Sequence, residues 1–203
     1  RIYDNIVIKP TWERLEDKKD DDIVVEIDPG IAFGTGSHET TKLCIGQLKK
    51  YLKPGDSVFD VGSGSGILSI ISTMLNAGFV HGMDIDPVAV EASKENRNVN
   101  HISEESLVFT CGNLLEKDSC AAEESIRINK GKKYDIVVAN ILADVIIPLS
   151  EAVKPLIREN GYFITSGIID MKEQDVRDAL MKNGYTIIDT VYMKDWVSII
   201  ARP

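Results

Sequence analysis

What the sequence lacks already excludes several classes of protein. It contains no run of about 18 apolar residues, so no membrane-spanning helix can be drawn on it. Its beginning mixes polar and apolar residues and shows no basic stretch followed by an apolar one, the pattern of an export signal. The first residue, Arg1, is not Met, and the expectation is a natural chain that extends further upstream or has been trimmed. Cysteine is scarce: Cys44, Cys111 and Cys120 are odd in number, far apart and never in a C-x-x-C pair, which points away from a disulfide framework and from a metal site. A reducing cytoplasm is the expected location, with no membrane attachment. Positive charge is in deficit, with 23 basic against 32 acidic residues and a net charge of -9. Such a balance repels polyphosphate, so no broad electrostatic grip on nucleic acid is expected, and a partner that is basic or presents an amine fits better. The same charge is also what keeps many ordinary proteins soluble.

The 203 residues, 43% of them hydrophobic, suffice for one substantial core and fall short of two full-sized catalytic domains. Two short β-branched runs, 6–8 and 23–27, flank the charged segment 13–22 and read as an entry hairpin or linker, placed at residues 1–25 ahead of a domain over 26–203. The glycine- and proline-bearing stretch 28–38 forbids a regular element and reads as an ordered loop or lid. Ser37 is expected to cap a helix running to about Leu52.

From residue 57 onward strands and helices alternate, which implies a mostly parallel sheet covered on both faces. The expected strands are 58–61, 80–83, 107–110, 136–139, 162–165, 186–193 and 197–201; the expected helices are 67–76, 87–99, 143–157 and 172–182. Only Lys194, Asp195 and Trp196 separate the last two strands, so the sheet should end in an antiparallel hairpin. Seven strands ending in that way suit the class I S-adenosylmethionine-dependent methyltransferase fold, an α/β doubly wound sheet, rather than the dinucleotide-binding version. The polar stretch 116–133, rich in Glu, Lys and Ser, reads as a surface insertion without a clear apolar period.

The chemistry centres on Asp60-Val61-Gly62-Ser63-Gly64-Ser65-Gly66-Ile67, an apolar strand running into a glycine loop that opens a helix. Gly62, Gly64 and Gly66 let a ligand approach the backbone. A pyrophosphate-binding loop wants Gly or Ala where Ile67 stands, and a β-branched residue there obstructs the close packing that geometry uses. Asp60 sits at the carboxyl end of the strand, where a carboxylate attracts a cation and repels a phosphate. S-adenosylmethionine carries an ammonium and a sulfonium and no phosphate. Capping of backbone amides is the alternative role for Asp60. Asp84 lies 22 residues after Gly62, close to the separation at which an acid reaches ribose hydroxyls. Asp86, followed by Pro87, reads instead as a helix cap with proline at the first helical position. Asn113, after the third strand of the sheet, is placed to read an adenine amine, with a turn role equally open.

On the acceptor side, the apolar strand 136–139 ends in Asn140. Transfer of a methyl group to an amine needs a neutral, aligned lone pair, and the Asn140 carbonyl is a candidate to accept a substrate N–H; helix capping is the alternative. The Pro-Pro-aromatic sequence that follows such an Asn in enzymes acting on planar amide or nucleobase nitrogens is absent, the residues being Ile141, Leu142 and Ala143. Thr40 and Thr41 open a helix whose N-terminus favours a carboxylate, with Thr41 preferred. His38 is a candidate base, its position favouring a structural role. Trp12, Phe33 and Trp196 read as packing residues.

The segments from Asp28 to Thr41, from Asp60 to Leu68 and from Asp84 to Pro87, with Asn140-Ile141-Leu142, Ser166-Gly167-Ile168 and Trp196-Val197, closely resemble the bacterial ribosomal-protein methyltransferases called PrmA, over nearly the whole chain from about Ile6. The resemblance implies methylation of lysine side chains and of an N-terminal α-amine on a large-subunit ribosomal protein. It implies S-adenosylmethionine as cofactor and Thr41, Gly62, Asp84 and Asn140 as the matching cofactor positions. The family also carries a small N-terminal recognition domain joined by a linker, with no counterpart expected in these residues, so the chain resembles the catalytic part. Two other readings remain open at this point: a methyltransferase acting on RNA or a small metabolite, and an inactive S-adenosylmethionine-binding domain.

Overall fold

Strand β1 (Ile6–Lys9) and strand β2 (Ile23–Glu26) lie side by side with Ile6 opposite Ile23, and they run parallel. The expected entry hairpin is therefore corrected. Parallel neighbours need a crossover, which the charged residues 10–22 supply over the surface. The crossover returns the chain to the same end, so that Ile6 and Val25 both reach the core beside Cys44, Ile45 and Leu48. The structure is a computed structural model that describes residues 1–3, 5–28, 36 and 38–203. Ser37 and Phe33, and most of the expected loop 28–38, lie outside the described residues.

Helix α1 (Glu39–Tyr51) is capped by His38, whose ring accepts the Thr40 N–H. Its buried face carries Thr41, Cys44, Ile45 and Leu48, the three- and four-residue spacing of an amphipathic helix. Next come β3 (Ser57–Val61), α2 (Ile67–Met74), β4 (Phe79–Asp84), α3 (Pro87–Val99) and β5 (Leu107–Cys111). Asp86 caps α3 by accepting from the Val88 N–H at 2.8 Å, with Pro87 in the first turn, as expected of that pair. The polar stretch 116–133 is not wholly irregular: it contains α4 (Ala121–Ile128). Its apolar signal is short because the residues turned inward are small, Ala121 and Ser125, with Ala122 and Ile126 packed beside them. The Tyr134 hydroxyl donates to the Ser125 carbonyl at 2.7 Å and ties the helix to the sheet.

The remaining elements are β6 (Tyr134–Asn140), α5 (Ala143–Val153), β7 (Ile157–Ile169), α6 (Glu173–Lys182), β8 (Thr186–Met193) and β9 (Trp196–Arg202). Together they complete a seven-stranded sheet in the order β5-β4-β3-β6-β7-β9-β8, parallel except for β9, which runs against both β7 and β8. In β6 the consecutive residues Ile136, Val137, Val138 and Ala139 are all fully buried. Val137 and Ala139 join a cluster with Ile146, Leu149 and Val176, while Ile136 and Val138 join one with Ile45, Leu68 and Val90. Helices thus cover both faces, which is why this strand reads as a continuous apolar run.

Gly167 interrupts β7 where its register with β9 shifts between Thr165 and Ile168. Its φ is +85°, and a Cβ there would stand 2.3 Å from the Ile141 carbonyl oxygen and 2.8 Å from its carbon. These are backbone atoms that cannot swing aside. Gly167→Ala is expected to destabilise the fold by about 3 kcal/mol, combining a strained backbone with the displacement of residue 141. A thermal unfolding midpoint within error of the parent protein would contradict this account of the β6–β7 contact.

Candidate active site

The chain leaves β3 toward β4 and β5 on one side and returns to β6 on the other, so the connections diverge between β3 and β6. Such a divergence leaves a crevice beyond the carboxyl ends of the strands. It is here a cleft of about 540 Å³, walled by the residues that follow β3, β4, β5 and β6 and closed on one side by the start of α1. Thr41, Gly62, Gly64, Asp84, Asn113 and Asn140, named from the sequence alone, all line it.

The glycine loop is clamped to the end of β4. Gly62 and Ser63 donate their N–H groups to the Met83 carbonyl at 2.8 and 3.1 Å. Gly64 donates to one oxygen of the Asp84 carboxylate at 2.8 Å, and Asp86 donates to the other at 3.0 Å. Two backbone donors fix the Asp84 carboxylate in place, and each oxygen keeps further accepting capacity toward the cleft. A carboxylate held in this way presents two acceptors to a pair of hydroxyl groups. On the next strand end, the Asn113 carbonyl accepts from the Leu115 N–H at 3.0 Å, so this side chain shapes its own turn while facing the cleft.

The opposite wall carries Asn140. Its amide nitrogen donates to Thr41 Oγ1 at 3.3 Å, joining the end of β6 to the first turn of α1. Thr41 is 1% exposed, and Asn140 is half-buried. With the N–H end engaged, the carbonyl oxygen is the end of Asn140 available to accept. His38 also borders the cleft, but its Nδ1 lies 2.9 Å from Thr40 Oγ1 and accepts from the Thr40 N–H, the arrangement of a cap rather than of a base.

Two residues of the expected set stand elsewhere. Gly66 is the left-handed cap of α2 and packs toward Phe109 and Ser93 rather than the cleft. Asp60 is 1% exposed and does not line the cleft. One of its oxygens accepts from the Ser69 hydroxyl at 2.6 Å, and the other, Oδ1, has no partner among the described residues. Burial drives the pKa of this carboxyl up to about 7, against the pull of the Ser69 hydrogen bond, and the nearby Asp84 carboxylate pushes it further the same way. A group that holds its proton near neutrality is a weak lure for a cation. The expected division of labour is thereby changed: Asp84 carries the negative charge of the cleft, and Asp60 lies beneath its floor.

The sequence reading also missed part of the wall. Trp196 lines the cleft, with the His38 ring edge-on to it at 5.1 Å. Because β9 runs against its neighbours, its first residue falls at the end where the parallel strands finish; the short link to β8 was the available signal. Trp12, in contrast, is 66% exposed and packs into no core. Apolar side chains dominate the remaining surface, among them Leu68, Met83, Ile141 and Leu149, and among the described residues no group of His, Cys, Asp or Glu could hold a metal ion.

Asp60 has a measurable consequence. Its folded pKa lies above the ordinary 3.8 of a carboxyl, so the folded protein binds a proton that the unfolded chain has released, and the stability it contributes is lost as pH rises from about 4 through about 7. Asp60→Asn abolishes this loss: relative to the parent, the variant should gain about 4 kcal/mol between pH 4 and pH 8. The parent is the reference because His81, buried and held neutral with a pKa lowered to about 3, tilts stability the other way below pH 6.5. Denaturant unfolding at both pH values reads the difference, and a constant gap between variant and parent would refute the raised pKa.

Comparison with known proteins places this geometry in a family. The sequence profile of ribosomal protein L11 methyltransferase (PrmA) matches residues 1–203. The ribosomal protein L11 methyltransferase of Lachnoclostridium phytofermentans is 51% identical over 210 residues, covering 100% of this chain and 63% of that protein. That of Bacillus subtilis is 46% identical over 202 residues, covering 100% of this chain and 61% of that protein. The chain thus spans less than two thirds of the length of these curated relatives. Among solved structures, the ribosomal protein L11 methylase of Lactobacillus delbrueckii subsp. bulgaricus superimposes with a TM-score of 0.86 at 29% identity, covering 99% of this chain and 96% of that one. The magnesium protoporphyrin IX methyltransferase of Synechocystis, solved with bound S-adenosylmethionine, shares the fold with a TM-score of 0.58 at 22% identity, over 77% of this chain and 74% of that one.

Proposed function

Because the chain belongs to the ribosomal protein L11 methyltransferase (PrmA) family, we propose that its cleft binds S-adenosylmethionine and directs the cofactor's methyl group to amine nitrogens, lysine side chains and an N-terminal α-amine, of ribosomal protein L11. The observation that carries the reading is the pairing, across one cleft, of a doubly anchored Asp84 carboxylate with an Asn140 whose carbonyl is available to accept. The donor set fits the cofactor. One fixed carboxylate, a glycine loop open to a ligand and apolar walls suit a cation bearing a ribose and an adenine, and among the described residues no lysine or arginine lines the cleft for a phosphate.

The cofactor supplies a methyl group bonded to a sulfonium. Asp84 would accept from the ribose hydroxyls, Asn113 would border the adenine, and Thr41 at the start of α1 would receive the carboxylate end, where a helix N-terminus favours negative charge. Gly62 and Gly64 keep the loop low enough for close approach. On the acceptor side, Asn140 accepts one amine N–H and thereby aims the nitrogen lone pair into the cleft. A lysine in water is an ammonium with a pKa of about 10.4, and the apolar walls of Leu142, Val145 and Trp196 disfavour that charged form, so the amine leaves its proton to bulk water and enters neutral.

The test is transfer to purified ribosomal protein L11, followed by mass spectrometry of the product. Asn140→Ala should lower turnover by about 100-fold while leaving S-adenosylmethionine affinity within about threefold. Asp84→Ala should weaken that affinity by about 10-fold or more, the effect of losing a charge-assisted contact. Unchanged turnover in the Asn140 variant removes that residue from the reaction, and absence of transfer by the parent chain refutes the proposed substrate.

A further inference from the structure

Soluble proteins leave few large apolar side chains in contiguous exposed patches, and where they do the patch commonly binds something. Among the described residues ten large apolar side chains are exposed, and four of them, Ile85, Leu115, Leu142 and Val145, belong to the cleft wall. Leu142 and Val145, 69% and 39% exposed, form the lip on the Asn140 side. Met171, in the turn that follows β7, is 82% exposed. Met171 follows closely on Ile169, the residue that pairs with Trp196 of the cleft wall, and precedes Lys172, whose ammonium reaches Asp144 on the first turn of α5 at 3.4 Å. The 170–172 turn and the start of α5 therefore form one continuous rim beside the acceptor end of the cleft.

That rim is acidic. Lys172 is shared between Asp144 and Asp175, and Lys194 is taken up by Glu39. Asp170 and Asp195, joined through the Asp170 N–H to the Asp195 carbonyl at 2.9 Å, are both exposed and make no ion pair among the described residues. An apolar strip edged by carboxylates that outnumber the lysines beside them complements a polypeptide that has an apolar residue near a cluster of lysines. It is a poor seat for a nucleic acid or an acidic protein.

We infer that the rim formed by Leu142, Val145, Met171, Asp144 and Asp170 is the docking surface for the lysine-bearing segment of the protein substrate, seating an apolar neighbour of the acceptor on Met171 and its positive charge on the carboxylates. This inference rests on the proposed function and adds to it where the acceptor chain lies. The rim is continuous with the wall that carries Asn140, so a segment seated there delivers its amine to that residue.

Steady-state transfer to purified ribosomal protein L11 by the parent chain, Met171→Ser and Asp144→Lys tests it, with S-adenosylmethionine affinity measured in parallel. Met171→Ser should raise KM for the protein about fivefold and Asp144→Lys about tenfold, with kcat within about twofold and cofactor affinity unchanged. The KM increase in Asp144→Lys should shrink at high salt, which a merely structural defect would not do. Unchanged KM in both variants, with an active parent, overturns the docking surface while leaving the functional reading intact. Loss of self-association in Met171→Ser with unchanged KM would assign the strip to a second copy of the chain and overturn it equally. No transfer by the parent chain refutes the functional reading and this inference with it.

Discussion

The divergence of the chain at β3 is the constraint on which the rest depends. A right-handed crossover from each parallel strand places its helix on one face of the sheet, and the reversal of direction between β3 and β6 sends successive helices to opposite faces. The strand ends between them cannot be covered by either set. Four loops therefore meet at one cleft, and each contributes a group that a strand has carried there: Gly62 from β3, Asp84 from β4, Asn113 from β5 and Asn140 from β6. The antiparallel β9 adds Trp196 from the opposite direction. No separate binding domain is needed to bring these five residues together.

Electrostatics then decides what the cleft accepts. The two carboxyl groups flanking the glycine loop differ in surroundings rather than in kind. Asp84 receives two backbone N–H groups, whereas Asp60 has a serine hydroxyl on one oxygen, no partner among the described residues on the other, and almost no contact with water. The first lines the edge of the cleft, and the second, buried beneath it, holds its proton near neutrality. Among the described residues of the cleft wall, Asp84 is the one carboxylate, set among largely apolar side chains. On the other wall, the Thr41 contact fixes which end of the Asn140 amide is available, so the helix bordering the cleft also orients that side chain.

Much of this was legible in the residues. The strand and helix alternation, the terminal hairpin, the Asp86-Pro87 cap and the positions of Asp84 and Asn140 all followed from spacing, because regular elements and turns obey local rules. What failed was long-range. Whether 6–8 and 23–27 pair as a hairpin or through a crossover depends on where each strand meets α1 and the sheet, which no local pattern encodes. Helix α4 was overlooked because its inward residues are Ala and Ser, whose burial gives almost no periodic signal. Asp60 was assigned to the ligand because the carboxyl end of a strand faces the crevice on average. Its own side chain turns under α2 to Ser69, and that choice belongs to packing.

The central claim is that the cleft recognises a phosphate-free cationic cofactor through Asp84 and the glycine loop. The most direct measurement is calorimetric titration of the chain with S-adenosylmethionine and, separately, with NAD. The account predicts saturable binding of the first and none of the second. Saturable binding of NAD, or binding of neither, would contradict it.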